Sequence, residues 1–274
     1  MIQFLQTTVI QRVPWRRIVY LVAGGLLLGW LLHTPPGLLG KADAVGYAVC
    51  HRIDPRSFHL GDRQLPMCAR CSGQYLGAML GIVYQFFFVR RRVGRPPWGV
   101  IAVLGSFVVI YGIDGLNSYL HLLPEMSRFY LYEPNNIFRL LTGTGLGLGV
   151  SIALVPAFHQ TMWRYRISSP PVEGWMPLFK LIAVALLLDV LVLTGNPLVL
   201  YPLALISSGG VLVLLTMVYA MVWVMLFRME NRFERFRELL FPLTAGFIVA
   251  LLQIAAMDYV RYFFFGTWEG FHFG

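Results

Sequence analysis

Long runs of apolar residues, separated by short polar connections, recur along this chain. Seven runs approach or exceed the roughly twenty residues that an α-helix needs to cross a bilayer. The fifth run is the shortest and prolines interrupt the start of the sixth, so six spans with one half-inserted segment is the alternative. The pattern predicts an all-α, polytopic transmembrane helix bundle. Its predicted spans are about residues 17–39, 67–89, 98–121, 137–158, 176–195, 198–227 and 239–264.

The composition fits a membrane protein over the whole chain. Hydrophobic residues make up 57% of the 274 residues and charged residues 13%, whereas a soluble domain carries about 25% charged residues. The formal net charge of +9 does not predict nucleic-acid binding, because most basic residues fall in short loops, where they set orientation and meet anionic lipids. We therefore expect membrane lipids among the partners, and no nucleic acid.

The basic residues also predict which side of the membrane each loop occupies. They cluster before the first span and in every second loop after it, as a single cytoplasmic face requires. This distribution predicts a cytoplasmic N-terminus and, with seven spans, a C-terminus on the other side. The residues concerned are Arg12, Arg16, Arg17, Arg90, Arg91, Arg92, Arg95, Arg164, Arg166, Lys180, Arg228, Arg232, Arg235 and Arg237.

The polar motifs are concentrated in the first part of the chain. Up to about residue 160 they are dense, whereas the later spans consist mostly of Leu, Val, Ile, Phe and Ala. We interpret residues 1–160 as a motif-bearing transmembrane part and residues 161–274 as additional helices of the same bundle. The first extracytoplasmic loop, at about residues 40–66, carries several arginines against the positive-inside tendency, which asks for another explanation.

Polar residues of several spans fall in the outer half of the predicted membrane. Asp114 and Asn117 are three residues apart and share a helix face, as do Asn136 and Arg139 at the start of the fourth span. These residues predict a shared pocket. The structural alternative is pairing between helices, for example of Asp114 with Arg139 or of the charges of the last span. Further members of the group are Asn135, Thr142, Asp189, Asp258 and Arg261.

All three cysteines lie next to the second span. A Cys-x-x-Cys pair at the start of a helix is a common half of a tetrahedral zinc site. The first hypothesis is therefore a metal site of Cys50, Cys68 and Cys71 with His51, or alternatively His59, as the fourth ligand. Zinc is the predicted metal and iron the alternative. With only three protein ligands, the open position would make the metal catalytic.

Two other interpretations of the cysteines stay open. The helix dipole together with Arg63 and Arg70 favours thiolates at Cys68 and Cys71. That pair suits a thiol–disulfide or quinone-linked oxidoreductase, in which Cys50 is a third exchanging thiol. The remaining interpretation is a structural disulfide with one spare thiol, or three inert thiols.

The arginines near the cysteines predict an anion site. Planar guanidinium groups bind phosphate in bidentate fashion, whereas solvated loop cations are the alternative. Beside metal ligands, the predicted ligand is an anionic, phosphate-bearing lipid such as a polyprenyl phosphate. Asp114 is the predicted catalytic residue, as a general base or as a group that orients a ligand. The predicted ligand-binding residues are Arg56, Arg63, Arg70, Asn136 and Arg139.

Small residues predict close packing of the second and fourth spans. Gly73, Gly77 and Gly81 recur every four residues in the second span, and glycines at 143–149 crowd the fourth. Because glycine lets membrane helices approach closely, we expect these two helices at the centre of the bundle.

The motif-bearing residues resemble the "domain of unknown function 2085" family of predicted prokaryotic membrane proteins, over about residues 45–155. This family more often shows Thr where Ser72 stands and Gln where Asn117 stands. The resemblance implies a multi-pass protein of the prokaryotic inner or plasma membrane, but it supplies no reaction. It rests on Cys50-His51, Arg56-Ser57-Phe58, the segment from Arg63 to Gly73, Asp114-Gly115, Asn136, Arg139 and Thr142-Gly143.

A non-catalytic role is the third hypothesis. The long apolar helices and an aromatic content of 15% equally suit a subunit of a larger respiratory or photosynthetic membrane complex. The sequence alone therefore leaves undecided whether the protein is an enzyme.

Overall fold

The computed structural model describes residues 15–122 and 129–271, and this part of the chain folds into eight α-helices and one β-hairpin. The hairpin consists of β1 (Ser57–Leu60) and β2 (Arg63–Cys68), and a 3-10 turn at Asp54–Arg56 precedes it. The helices are α1 (Trp15–His33), α2 (Gly37–Val49), α3 (Ala69–Tyr84), α4 (Trp98–Leu120), α5 (Asn136–Met162), α6 (Trp175–Leu193), α7 (Pro197–Leu226) and α8 (Phe236–Phe265).

The predicted all-α membrane fold is confirmed. Within the described residues, α1 and α4 to α8 are long and apolar enough to cross a membrane. The other predicted span, residues 67–89, forms α3 and continues as a π-helical turn at Gln85–Val89. At about 1.5 Å per residue, the 16 residues of α3 and the five of the turn reach roughly 30 Å, the thickness of the hydrocarbon core.

The beginning of the chain differs from the single helix predicted at 17–39. Helix α1 ends at His33, because Pro35 and Pro36 have no N–H group with which to continue it. Pro36 is extended and precedes the separate helix α2. Helix α2 and the hairpin together occupy most of the region 40–66 that the sequence predicts as a loop.

Helices α3 and α5 form a tightly packed centre, as the glycine pattern predicts. A Cβ atom at Gly73 would lie 2.3 Å from the carbonyl oxygen of Leu140, and one at Gly81 would lie 1.8 Å from Oγ of Ser151. Both contacts advance in the same direction along the chain, so the two helices are parallel. Their N-terminal ends, which carry the cysteine and arginine motifs, therefore lie side by side.

Candidate metal centre and cationic pocket

The hairpin brings the chain from Cys50 back to the start of α3. Gly61, with a φ of +64°, occupies its turn. Gly46 allows β2 to lie directly against α2, since a Cβ atom there would be only 1.9 Å from the carbonyl oxygen of Pro66. As a result Cys50, which follows α2, reaches Cys68 at the end of β2.

The three cysteines form one cluster. The sulfur atoms of Cys50, Cys68 and Cys71 all lie within 4.8 Å of one another, and none is in a disulfide. The backbone N–H groups of Arg52 and Cys68 each donate to Sγ of Cys50 at 3.4 Å. Thiolate sulfurs are soft ligands, and three of them at this spacing can hold one metal ion.

Hydrogen bonds within the cluster shift the pKa values of its thiols in opposite directions. Hydrogen bonds from Cys50 and Cys71 lower the pKa of Cys68 well below its ordinary value, and the charge of Arg70 acts in the same direction. The interaction with Cys68 raises the pKa of Cys50 to about 12. Because the thiolate is the form that binds metals and attacks electrophiles, Cys68 is the member best prepared for either role.

The structure does not bring His51 into the cluster. Its ring is exposed and packs against Phe271, with ring centroids 5.4 Å apart. Cys50 is in an extended conformation, in which successive side chains point to opposite sides. His59 lies near Asp54, at 2.9 Å from Nε2 to Oδ1. Among the described residues, the metal-ligating group therefore consists of three sulfur atoms.

Asp114 of α4 is buried and holds Arg70. Nε of Arg70 donates to Oδ2 of Asp114 at 3.1 Å, and Nη2 donates to the same oxygen and to Oγ of Ser118. Tyr132 donates to Oδ1 at 2.5 Å and Thr142 to Oδ2 at 3.4 Å. Because both carboxylate oxygens are engaged, the geometry favours the orienting role for Asp114 over the general base.

Two further guanidinium groups lie beside this ion pair. Arg56 donates to the carbonyl oxygen of Ser118 at 2.8 Å. Asn136 accepts a hydrogen bond from Arg139 at 2.9 Å and donates to the backbone carbonyls on both sides of Arg56. Burial, with repulsion from Arg139 and Arg70, lowers the pKa of Arg56 to about 10. We call the group of Arg56, Arg70 and Arg139 the cationic pocket.

The cationic pocket has unused capacity for an anion. Arg139 does not pair with Asp114; it is only 6% exposed, and its Nε has no hydrogen-bond partner among the described residues. A buried donor left unpaired costs about 1–3 kcal/mol. Of the three arginines only Arg70 pairs with Asp114, and Arg70 stands between Cys68 and Cys71 in the first turn of α3. The pocket therefore adjoins the sulfur cluster.

Other predicted polar residues have separate partners. Arg63, predicted for the anion site, instead pairs with Asp43 at 2.5 Å. Arg52 binds the second oxygen of the same carboxylate at 3.0 Å. Within the bundle, Asp189 accepts a hydrogen bond from Thr144 at 2.7 Å. Arg63 is therefore held at Asp43, whereas Arg70 is held at Asp114.

The charged residues of α8 do not form the alternative pair that the sequence suggests. Asp258 accepts a hydrogen bond from Nε1 of Trp30 at 3.3 Å. Nη1 of Arg261 donates to the carbonyl oxygens of Tyr47 and Cys50, each at 2.6 Å. Arg261 therefore ties the last helix to the loop that carries the first cysteine.

Two residues that contact Asp114 or Arg70 are not among those predicted from the sequence: Ser118 and Tyr132. Ser118 lies four residues after Asp114 and therefore on the same helix face, a spacing that is visible in the sequence. Tyr132 lies in the connection to α5, where its backbone is held by Asn117 through a 2.9 Å hydrogen bond to its carbonyl oxygen. A position in an irregular segment has no periodicity that would reveal it.

The cysteines of the cluster and the arginines of the cationic pocket lie in the segment of this chain that resembles known proteins. The family model described as "Predicted membrane protein (DUF2085)" matches residues 50–153. An uncharacterized protein of Methanothermobacter thermautotrophicus is 30% identical over 105 residues, which cover 38% of this chain and 82% of that protein. An uncharacterized protein of Methanocaldococcus jannaschii is 26% identical over 123 residues, 44% of this chain and 70% of that protein. No solved structure matches.

Proposed function

This chain belongs to the family of predicted membrane proteins called domain of unknown function 2085, and on that premise we propose that it is a membrane metalloprotein that binds a phosphate-bearing lipid. In this proposal the three cysteines hold a zinc ion at the extracytoplasmic face, and the cationic pocket binds the phosphate. One observation carries the proposal: three sulfur atoms converge at the start of α3, where Arg70 and the other two arginines of the cationic pocket also lie.

The sulfur cluster supports the metal. Thiolates favour zinc, copper(I) and iron–sulfur centres over hard cations, and three cysteines are a common part of zinc sites. The two N–H groups that donate to Cys50 would stabilise its thiolate and fix its sulfur. A zinc ion with three protein ligands keeps one position for a water molecule or a substrate oxygen.

The cationic pocket supports a phosphate ligand. An anion there would relieve the repulsion among the three guanidinium groups and accept the unused hydrogen bond of Arg139. Its position beside the sulfur cluster would bring the phosphate close to a metal ion held by the three cysteines. Asp114 would keep Arg70 oriented for that contact through the hydrogen bonds already present.

An adjoining cavity supports a lipid as the source of the phosphate. It measures about 330 Å³ and lies between α4, α5 and α6, with Phe107, Phe138 and Ile182 among its lining residues. Thr142 lines it and also donates to Asp114. An acyl or prenyl chain would therefore find an apolar place directly next to the pocket.

The metal is tested by elemental analysis of the purified full-length protein. We expect about one zinc ion per chain, close to none in Cys68→Ser, and full occupancy in His51→Ala, because His51 lies outside the cluster. A protein without stoichiometric zinc or iron would contradict the proposal. Loss of metal in His51→Ala would show that His51 is a ligand after all.

Lipid binding is tested by comparing two arginines that the structure separates. Arg139→Gln should weaken binding of a polyprenyl phosphate about tenfold or more, because it removes charge-assisted hydrogen bonds. Arg63→Gln removes the same charge from a residue that pairs with Asp43 and should leave binding nearly unchanged. Equal affinity of the Arg139→Gln and wild-type proteins would rule the pocket out.

A membrane thiol oxidoreductase is the second candidate, favoured by the low pKa of Cys68 beside two other sulfurs. In that role a Cys68–Cys71 disulfide would accept two electrons from a substrate dithiol, which becomes a disulfide. A membrane quinone would then re-oxidise the pair and leave as the quinol. Reversible thiol labelling that follows the redox poise in metal-free protein would support this candidate over the first.

A further inference from the structure

At the other end of α3 we propose a second anion site, for the phosphate group of an anionic phospholipid. A cavity of about 520 Å³ lies there, where the end of α3, the end of α5 and the start of α8 meet. Its lining combines three arginines and one histidine with aromatic side chains. The charged and polar members are Arg90, Arg91, Arg166 and His159.

This cavity is separate from the metal centre. Cys68 precedes α3, and Arg90 follows the π-helical turn that extends it. The two positions are therefore roughly 30 Å apart, on opposite sides of the predicted membrane. The second site does not depend on the proposed metal or on its lipid.

A buried N–H group without a partner points to a ligand. Nε1 of Trp163 lies 3.1 Å from Nδ1 of His159. An indole N–H can only donate, so Nδ1 accepts and the proton of His159 must be on Nε2. His159 is 2% exposed, and its Nε2 has no hydrogen-bond partner among the described residues. Leaving such a donor unpaired is costly, and because His159 is one of the residues that line the cavity, a phosphate group that packs against its ring would supply an acceptor.

The cavity has positive charge without a compensating carboxylate in its wall. The residues that line it, all in the described part of the chain, include no Asp or Glu. The nearby carboxylate of Glu234 is engaged by Arg164 at 2.8 Å. Arg91 is held in place with its guanidinium 3.7 Å above the ring of Trp163, and Arg166 donates to the carbonyl oxygen of Gln160 at 3.1 Å.

The surroundings of the cavity fit a lipid better than a free phosphate. Phe87 and Phe88 lie in the sequence between two residues that line the cavity, and both side chains are strongly exposed. Ile167, which lines the cavity, is exposed as well. In a membrane these side chains would meet acyl chains, while the head group enters between the arginines. Positive charges that only set topology need no common cavity and no buried donor, so the convergence of both favours a binding site.

The test uses full-length protein in detergent and phosphatidylglycerol as the probe. Native mass spectrometry measures how much lipid remains bound as its concentration rises. Arg90→Gln with Arg166→Gln should weaken retention of one lipid molecule about tenfold. Arg228→Gln with Arg232→Gln removes two exposed charges from the same predicted face, outside the cavity, and should change retention by no more than about twofold.

Equal losses in both double variants, or no loss in either, would overturn the site. Competition by glycerol phosphate as effective as that by the lipid would overturn the lipid as its source. If the first double variant does not fold, Arg90→Gln alone, which changes an exposed side chain, should still show a measurable loss. Metal content should be unchanged in all these variants, so this test and that of the metal centre fail independently.

Discussion

The two ends of α3 use arginine in different ways. At the end with the cysteines, Arg70 is fixed by a buried carboxylate and its neighbours crowd around it beside three thiols. At the other end, the arginines around His159 line a cavity whose wall contains no acidic residue. In the orientation predicted from the sequence, the arginines around His159 follow the positive-inside tendency, and those at the cysteine end lie against it. The charge of an arginine therefore does not show whether it belongs to a binding site in this protein. The side chains that contact it do.

The sites at both ends of α3 depend on the tight glycine contact between α3 and α5, which we call the seam. This gives the first and largest prediction: Gly77→Val should destabilise the protein by about 3 kcal/mol or more. A Cβ atom there would lie 2.3 Å from the carbonyl oxygen of Thr144, so the helices must separate. Thermal unfolding in detergent measures the effect, and metal and lipid binding should both be lost.

The matched control for the seam is Gly105→Val. A Cβ atom at Gly105 in α4 meets no atom within 4 Å, so this variant should remain close to wild-type stability. If the two variants were equally stable, the seam would not be what holds the two ends in place.

The second prediction concerns a variant that should affect the site at the cysteine end of α3 and leave the site at the other end unchanged. Asp114→Asn should cost about 3 kcal/mol of stability, because it leaves Arg70 without its counter-charge in a largely buried site. Phosphate-lipid binding at the cysteine end should fall with it, whereas phosphatidylglycerol retention at the other end should not change. A parallel loss at both ends would mean that the variant acts through general unfolding.

The third prediction concerns pH at the cysteine end. The pKa of Cys50 is raised to about 12, so this thiol is protonated at neutral pH and must release its proton when a metal binds. Metal affinity should therefore rise at least about tenfold for each pH unit between pH 6 and pH 8. Competition with a chelator of known pH dependence measures it, and a flat profile would contradict a thiolate site.

The smallest expected effect is that of Arg261→Gln. Arg261 holds the carbonyl oxygens of Tyr47 and Cys50 but touches no proposed ligand atom. Loss of such a supporting contact commonly weakens metal binding about tenfold. Arg237→Gln, on the same helix near its other end, serves as the control and should bind metal as the wild type does.

Much of the fold could be predicted from the sequence, because hydrophobic length and glycine spacing determine spans and close packing directly. Each of the seven predicted spans overlaps a helix of the structure, and the close α3–α5 contact follows from the glycine spacing. The break between α1 and α2 is visible in Pro35 and Pro36, but a 13-residue helix containing Lys41 and Asp43 does not stand out from a polar loop.

The site was less predictable, because it depends on which side chains meet across helices. The convergence of the three cysteines follows from their spacing and one hairpin. The choice of Arg70 over Arg139 as the partner of Asp114 depends on helix rotation, which no spacing rule supplies. The fourth ligand predicted from the sequence, His51, follows Cys50 directly in an extended backbone, where neighbouring side chains point apart, and it does not join the sulfur atoms.

X-ray absorption spectroscopy at the zinc edge of the purified, full-length protein tests whether the three cysteines hold a metal ion. We expect three sulfur neighbours at about 2.3 Å and one lighter ligand, with the signal lost in Cys68→Ser and kept in His51→Ala. Protein that contains no bound metal, with its three thiols free or joined in a disulfide, would contradict this expectation.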